Sequence, residues 1–251
     1  MASHRSRRIA TVFLALGGIA LAGLVSAAQF GLSMTRIHLD ASHPVETLAV
    51  TNRDADATSF EVHVLRWRQA DDGQWQLVPD DGLVVHPLIV TMQPGETARL
   101  RVGSLSPSVT EEQAYRIELA ELPDKSKQMA GMVRMLARIS IPVFVQVKDP
   151  KAALGVSVDA LQAHDAKLVL RNTGTAYSPP QGGKLRIVDA AGKLLQETDI
   201  TTPYVLAGAQ SPLTSALSGN ACARAAKIEL ALDNAAPIAV PVAPGARRCA
   251  P

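Results

Sequence analysis

The side chains best able to do chemistry are few and dispersed. His38, His43, His63, His86 and His164 follow residue 28, and none stands in HExxH or HxH spacing or at a metal-binding interval from a cysteine. His38 and His63 suit neighbouring strands, where a histidine is ordinary structure. No GxSxG, SxxK or glycine-rich phosphate loop occurs, and Gly182-Gly183 reads as a turn. Glu111-Glu112 and Asp80-Asp81 are adjacent in sequence, so on a strand each pair would split between opposite faces. Both pairs read as solvated loop. The catalytic inventory is empty, no metal or cofactor is called for, and the expectation is a binding protein rather than an enzyme.

Cys222 and Cys249 are the only cysteines. In an oxidising compartment an even pair reads first as a disulfide, here stapling the C-terminal region, with two free thiols as the alternative. The N-terminus argues for such a compartment. Arg5, Arg7 and Arg8 precede an uncharged run over residues 9–25, and Ser26, Ala27 and Ala28 follow. A basic head, an apolar middle and an A-x-A-like end read as a secretory signal peptide, cleaved after Ala27 or Ala28. An uncleaved anchor helix is the other reading of that run. No later run approaches membrane length, so no membrane insertion is expected of the mature chain. Removing residues 1–27 takes three arginines and no acid, which moves the formal net charge from +2 to −1. The sequence pI of 8.6 therefore partly reflects the leader and gives no case for nucleic acid.

The elements that must present any binding surface are strands. Short alternating runs between turn residues recur at 32–39, 46–52, 59–69, 75–79, 87–92, 96–103, 114–122 and 131–147. Asp72-Gly73 and Pro94-Gly95 mark turns between them. Seven or eight strands in about 120 residues is the count of an immunoglobulin-like sandwich. Lys148-Asp149-Pro150 breaks the pattern, and a second series follows at 155–161, 167–172, 184–190, 193–199, 203–207, 227–232 and 237–242, with a loop expected over 207–226. The division expected is a signal peptide at 1–27, one β-sandwich domain at 28–148 and a smaller one at 149–251.

Residues 131–147, GMVRMLARISIPVFVQV, are apolar at every odd position from Val133 to Val147. Fully extended they would run about 55 Å, far more than one domain's core requires. Ile139, Ile141, Val143 and Val145 read as this domain's own core, and Pro142 argues against a regular central strand there. Val133, Met135 and Ala137 lie on the excess length.

Four stretches, in order, resemble the periplasmic chaperones of the chaperone–usher pilus pathway. SMTRIHL (33–39) resembles the family's first-strand Thr-Arg motif, and TMQPGETARLRV (91–102) its Pro-Gly turn and following strand. YRIELAELP (115–123) resembles its Tyr-to-Pro segment, and RMLARISIPVFV (134–145) its long strand in a form close to the divergent, archaic-type, PapD-like branch. The second half matches weakly, in the stretch LVLRNTG (168–174). The resemblance implies two immunoglobulin-like sandwiches in an L-shape, in the periplasm. It also implies donation of Val133, Met135 and Ala137 into the groove of an incomplete pilus subunit, and delivery to an outer-membrane usher. The free protein could cap its own edge as a homodimer. Arg36 stands at the family's cleft arginine, which grips the subunit's terminal carboxylate. The family's cleft lysine falls at Ser140, and Arg138, on the same strand face, is the candidate replacement. A short connection between Leu122 and Gly131 resembles the subclass serving rod-like pili. The competing reading is an envelope structural or adhesive sandwich in which 131–147 is an internal strand.

Overall fold

The computed structural model describes residues 29–124, 135–233 and 235–249. The expected signal peptide, Val133 and most of the connection after Leu122 lie outside these residues.

The described chain is two β-sandwiches in sequence, as the period-two patterning requires. The first begins with β1 (Phe30–Leu32), β2 (Ile37–Leu39), β3 (Val45–Asn52), β4 (Thr58–Gln69) and β5 (Trp75–Pro79). It continues with β6 (Leu83–His86), β7 (Ile89–Met92), β8 (Thr97–Ser104), β9 (Gln113–Glu121) and β10 (Arg138–Val145). One sheet is ordered β1-β3-β8-β6 and the other β2-β10-β9-β4-β5, with β7 also on β4. Their facing residues, among them Leu48, Leu100, Phe60, Ile117, Leu119, Ile141 and Val143, form a buried hydrophobic core. The hairpin expected at Asp72-Gly73 joins β4 to β5. Gly73 has φ +78°, a region closed to most side chains, and Asp72 Oδ1 accepts the Gln74 N–H at 2.9 Å.

The single first strand expected over 32–39 is two strands in different sheets. Ser33 closes the last rung against Ala49, and the chain then crosses to the other sheet, where β2 runs parallel to β10. Pro142 lies inside β10 but not in a regular central strand, as expected. It is accommodated because β2 pairs only with Val143–Val145, so this side of β10 is unpaired at residue 142.

The second sandwich holds β11 (Leu154–Leu161), β12 (Asp165–Asn172), β13 (Gly182–Val188), β14 (Leu194–Thr201), β15 (Gln210–Ala216), β16 (Lys227–Leu232) and β17 (Ile238–Pro241). Its sheets are ordered β11-β12-β15 and β14-β13-β16-β17. The loop expected over 207–226 is instead β15 followed by α1 (Gly219–Arg224), which Ser218 caps. The strand was concealed because two of its buried positions are Ser211 and Ser215 rather than apolar residues. Residues 203–207, expected as a strand, make only an isolated bridge from Val205 to Ser178. Cys222 and Cys249 form the expected disulfide, with Cα atoms 6.0 Å apart, beside the second core.

The sandwiches are joined by a third apolar cluster: Trp67, Ala114 and Phe144 from the first, Tyr177 and Leu206 from the second. Phe144 stacks on Tyr177 at 3.6 Å between ring centroids. Gln69 pins the junction twice, donating to the Tyr204 carbonyl at 2.8 Å and accepting the Leu206 N–H at 2.7 Å.

Candidate functional site

Strand alternation fixes which side chains look out of the second sheet toward this junction. On β10 the odd residues from Ile139 to Val145 face the core, so Arg138, Ser140, Pro142 and Phe144 face out. The register places Ser140 opposite Glu118, Pro142 opposite Arg116 and Phe144 opposite Ala114, which puts Arg116 and Glu118 of β9 on the same outer face. Trp67 of β4, Trp75 of β5 and His38 of β2 complete that face.

Arg36 lies at the head of β2, as the Thr-Arg motif led one to expect. Its Nη1 donates to the Tyr177 hydroxyl at 3.2 Å, and its guanidinium carbon lies 5.6 Å from the Tyr177 ring and 5.8 Å from the Tyr204 ring. His38 Nε2 meets the same Tyr177 hydroxyl at 2.8 Å. Burial, then the Arg36 charge, pushes the His38 pKa below the ordinary imidazole value. The other side of Tyr177 is held by Glu112, whose Oε1 accepts the Tyr177 backbone N–H at 2.7 Å. Burial raises this carboxyl to about 7, against the opposing effect of donors from Gln146 and the Tyr177 backbone. Glu112, expected in a solvated loop, is thus a strut between the sandwiches.

The cation beside Ser140 is Arg116. Its Nη1 is 3.5 Å from Ser140 Oγ, and its guanidinium lies 4.2 Å from the centroids of both Trp67 and Trp75 and 5.8 Å from Tyr204. Arg138, the sequence candidate for that place, instead donates to Glu118 Oε2 at 3.3 Å with an exposed side chain. Both residues share a strand face with position 140, but Arg138 sits at the far end of β10 from the junction. Alternation could have placed Arg116 on the outer face, because its neighbours Tyr115 and Ile117 are core. Nothing in the sequence announced that Tyr204 of the second sandwich would approach it.

The expected donor residues divide. Met135 is 91 % exposed, and Leu136 beside it is also exposed. Ala137 packs against the first core, and its N–H and carbonyl are already bonded to Glu121. Val133 lies outside the described residues. From Arg138 to Pro142, β10 has β9 on one side and no strand on the other among the described residues. No group of His, Cys, Asp and Glu among the described residues could hold a metal ion.

The sequence profile of pili and flagellar-assembly chaperones, in its PapD N-terminal domain, matches residues 29–151. The chain belongs to the PapD-like pilus-assembly chaperones. Solved chaperone structures share the fold along nearly the whole described chain. The class 5 fimbriae chaperone CfaA has a TM-score of 0.58 at 11 % identity, covering 86 % of this chain and 100 % of its own. A chain of the CsuC–CsuE chaperone–tip adhesion subunit complex, from the archaic Csu pili of Acinetobacter baumannii, gives 0.56 at 19 %, covering 85 % and 97 %. A chain of the Salmonella enterica SafA pilin–SafB chaperone complex gives 0.55 at 14 %, covering 86 % and 98 %. No curated protein sequence matches the chain. In this PapD-like chaperone the open side of β10 runs from the exposed Met135 region toward the arginine-bearing junction.

Proposed function

We propose that this chaperone works in the periplasm, holding pilus subunits by lending them the free side of β10 before they pass to an outer-membrane usher. The observation that carries the reading is the open β10 edge leading from Met135 at 91 % exposure to Arg36 at the junction. An unpaired edge beside exposed apolar side chains invites aggregation unless it is a binding surface. A partner strand laid along Arg138–Pro142 gains a ladder of main-chain hydrogen bonds, while alternate side chains enter the partner's groove. Met135 is the described donor, with Val133 two residues earlier in the same alternation. Ala137 is a weaker one, since its own core already holds it. At the cleft Arg36, steadied by Tyr177, can fork onto a terminal carboxylate. The 19 % identity to the CsuC complex chain accords with the archaic branch.

Co-expression with a small secreted β-protein encoded beside this chain should yield a one-to-one complex on purification. The double variant Val133→Arg, Met135→Arg should lose that complex and keep its fold by circular dichroism. Recovery of the complex from the double variant contradicts strand donation. Size-exclusion chromatography with light scattering on the free protein tests whether it caps its own edge as a homodimer.

A further inference from the structure

Alternation fixes where each backbone group of β10 points, as it does for the side chains. Glu121 N–H donates to the Ala137 carbonyl at 2.9 Å, so the odd residues bond toward β9. Gln146 N–H donates to the Leu39 carbonyl at 2.7 Å, so the even residues bond toward β2. The parallel register sets Val143 opposite Ile37 and Val145 opposite Leu39. Continued toward Arg138 in steps of two, that ladder would join residue 142 to the Thr35 carbonyl and Ser140 to the Ser33 carbonyl. Residue 142 is proline and has no N–H to give. The pairing with β2 stops at Val143. Thr35 is exposed, and Ser33 bonds instead to Ala49 of the other sheet. Beyond the proline, Ser140 and Arg138 each turn an N–H and a carbonyl toward a side that carries no strand among the described residues. β2 is tethered beside this edge, at an effective concentration that a separate chain does not reach. Each rung it added would favour it over a guest strand by about two- to tenfold.

We propose that Pro142 is a stop dividing one side of β10 between two strands: β2 toward the junction, and the captured subunit's strand from Ser140 back toward Met135. The inference rests on the reading of this edge as the one lent to a subunit. Pro142 keeps the chain's own β2 from advancing over Ser140 and Arg138, and it sets where the guest ladder ends. The guest finds donor and acceptor at Arg138 and Ser140 and no donor at 142, so its register is limited at that end. A valine at 142 would suit a buried strand position at least as well. What it would add is the N–H that lets β2 advance.

Pro142→Val and the smaller Pro142→Ala both restore the N–H, and two measurements on the full-length mature chain read the consequence. In the free protein, amide hydrogen exchange at residue 142 should be at least tenfold slower than at the open-edge amide of Arg138. In complexes with a small secreted β-protein encoded beside this chain, chased with excess unaltered chaperone, subunit release should be about three- to tenfold faster. Circular dichroism confirms that each variant is folded. Ser140→Pro tests the edge without touching β2. Its side chain is exposed and its N–H faces the open side, so the free fold should survive while release speeds up by a similar factor. Ile141→Pro, one residue on, removes a donor that β9 needs and should unfold the first sandwich. Suppose Ser140→Pro speeds release. The stop is then overturned, and strand lending stands, if the new amide at 142 exchanges as fast as that of Arg138. Release from both Pro142 variants at the unaltered rate overturns it equally. If Ser140→Pro releases the subunit at the unaltered rate, the lent edge itself is overturned, and this inference with it.

Discussion

Met135 and Ile141 belong to one alternating row of the sequence, Met135 just before β10 and Ile141 within it, and the account gives them opposite jobs. Ile141 is 1 % exposed in the first core, so Ile141→Ala removes buried methyl groups and leaves a cavity, at a cost of about 2–5 kcal/mol. Met135 is 91 % exposed, so Met135→Ala should shift the free protein's stability by no more than about 0.5 kcal/mol. On capture the order reverses. Burying the Met135 side chain in a partner's groove is worth up to about 1.5–3 kcal/mol, roughly a ten- to hundredfold change in affinity. Both tryptophans lie in the first sandwich, so urea unfolding followed by their emission reads that domain's stability. Subunit release from purified complexes, chased with excess unaltered chaperone, reads the affinity. The reasoning fails if Met135→Ala lowers the unfolding midpoint as far as Ile141→Ala. It fails equally if Met135→Ala leaves the release rate unchanged.

Glu112 gives the junction a pH dependence. Its carboxyl titrates near 7 when folded against about 4.5 when unfolded, so between these values the folded chain keeps a proton that the unfolded chain releases. Stability from this group is therefore present below about pH 4.5 and declines as pH rises to about 7. Glu112→Gln should remove that slope and stabilise the protein at pH 8 by about 1–2 kcal/mol after solvent screening; calorimetry from pH 5 to pH 8 measures it, and an unchanged slope contradicts the strut. Replacing Cys222 and Cys249 by serine opens a loop with a sequence separation of 27 and should cost about 3.5 kcal/mol on the chain-entropy model. The loss should fall on the second sandwich, so amide exchange should speed up in β12 and β16 while the tryptophan-monitored transition of the first sandwich moves little.

The sandwich architecture was legible because period-two alternation survives wherever one strand face is buried in hydrocarbon. It failed where small polar residues took the inward positions, as at Ser211 and Ser215 of β15. It was misread between β1 and β2, where the apolar rhythm of Phe30, Leu32 and Met34 shifts parity to Ile37 and Leu39 as the chain changes sheets. The place of Arg36 at the head of β2 was legible from its motif, and the exposure of Met135 from the excess length of the last strand. The surroundings of Arg116 and Glu112 were not, because they are completed by Tyr204 and Tyr177, which come from the other sandwich. Local pattern tells which face a side chain takes; it carries no information about what a distant segment brings to that face. Arg138 was the natural candidate by strand parity, and Glu118 on the neighbouring strand is what occupies it.

The central claim is that the β10 edge before the core-facing residues enters a partner. Site-specific photo-cross-linking from position 135 tests it most directly, in the complex with a co-expressed subunit and with position 99, on the exposed outer face of β8, as the control. The account predicts a chaperone–subunit adduct from position 135 and none from position 99. An adduct from position 99 with none from position 135 would contradict it.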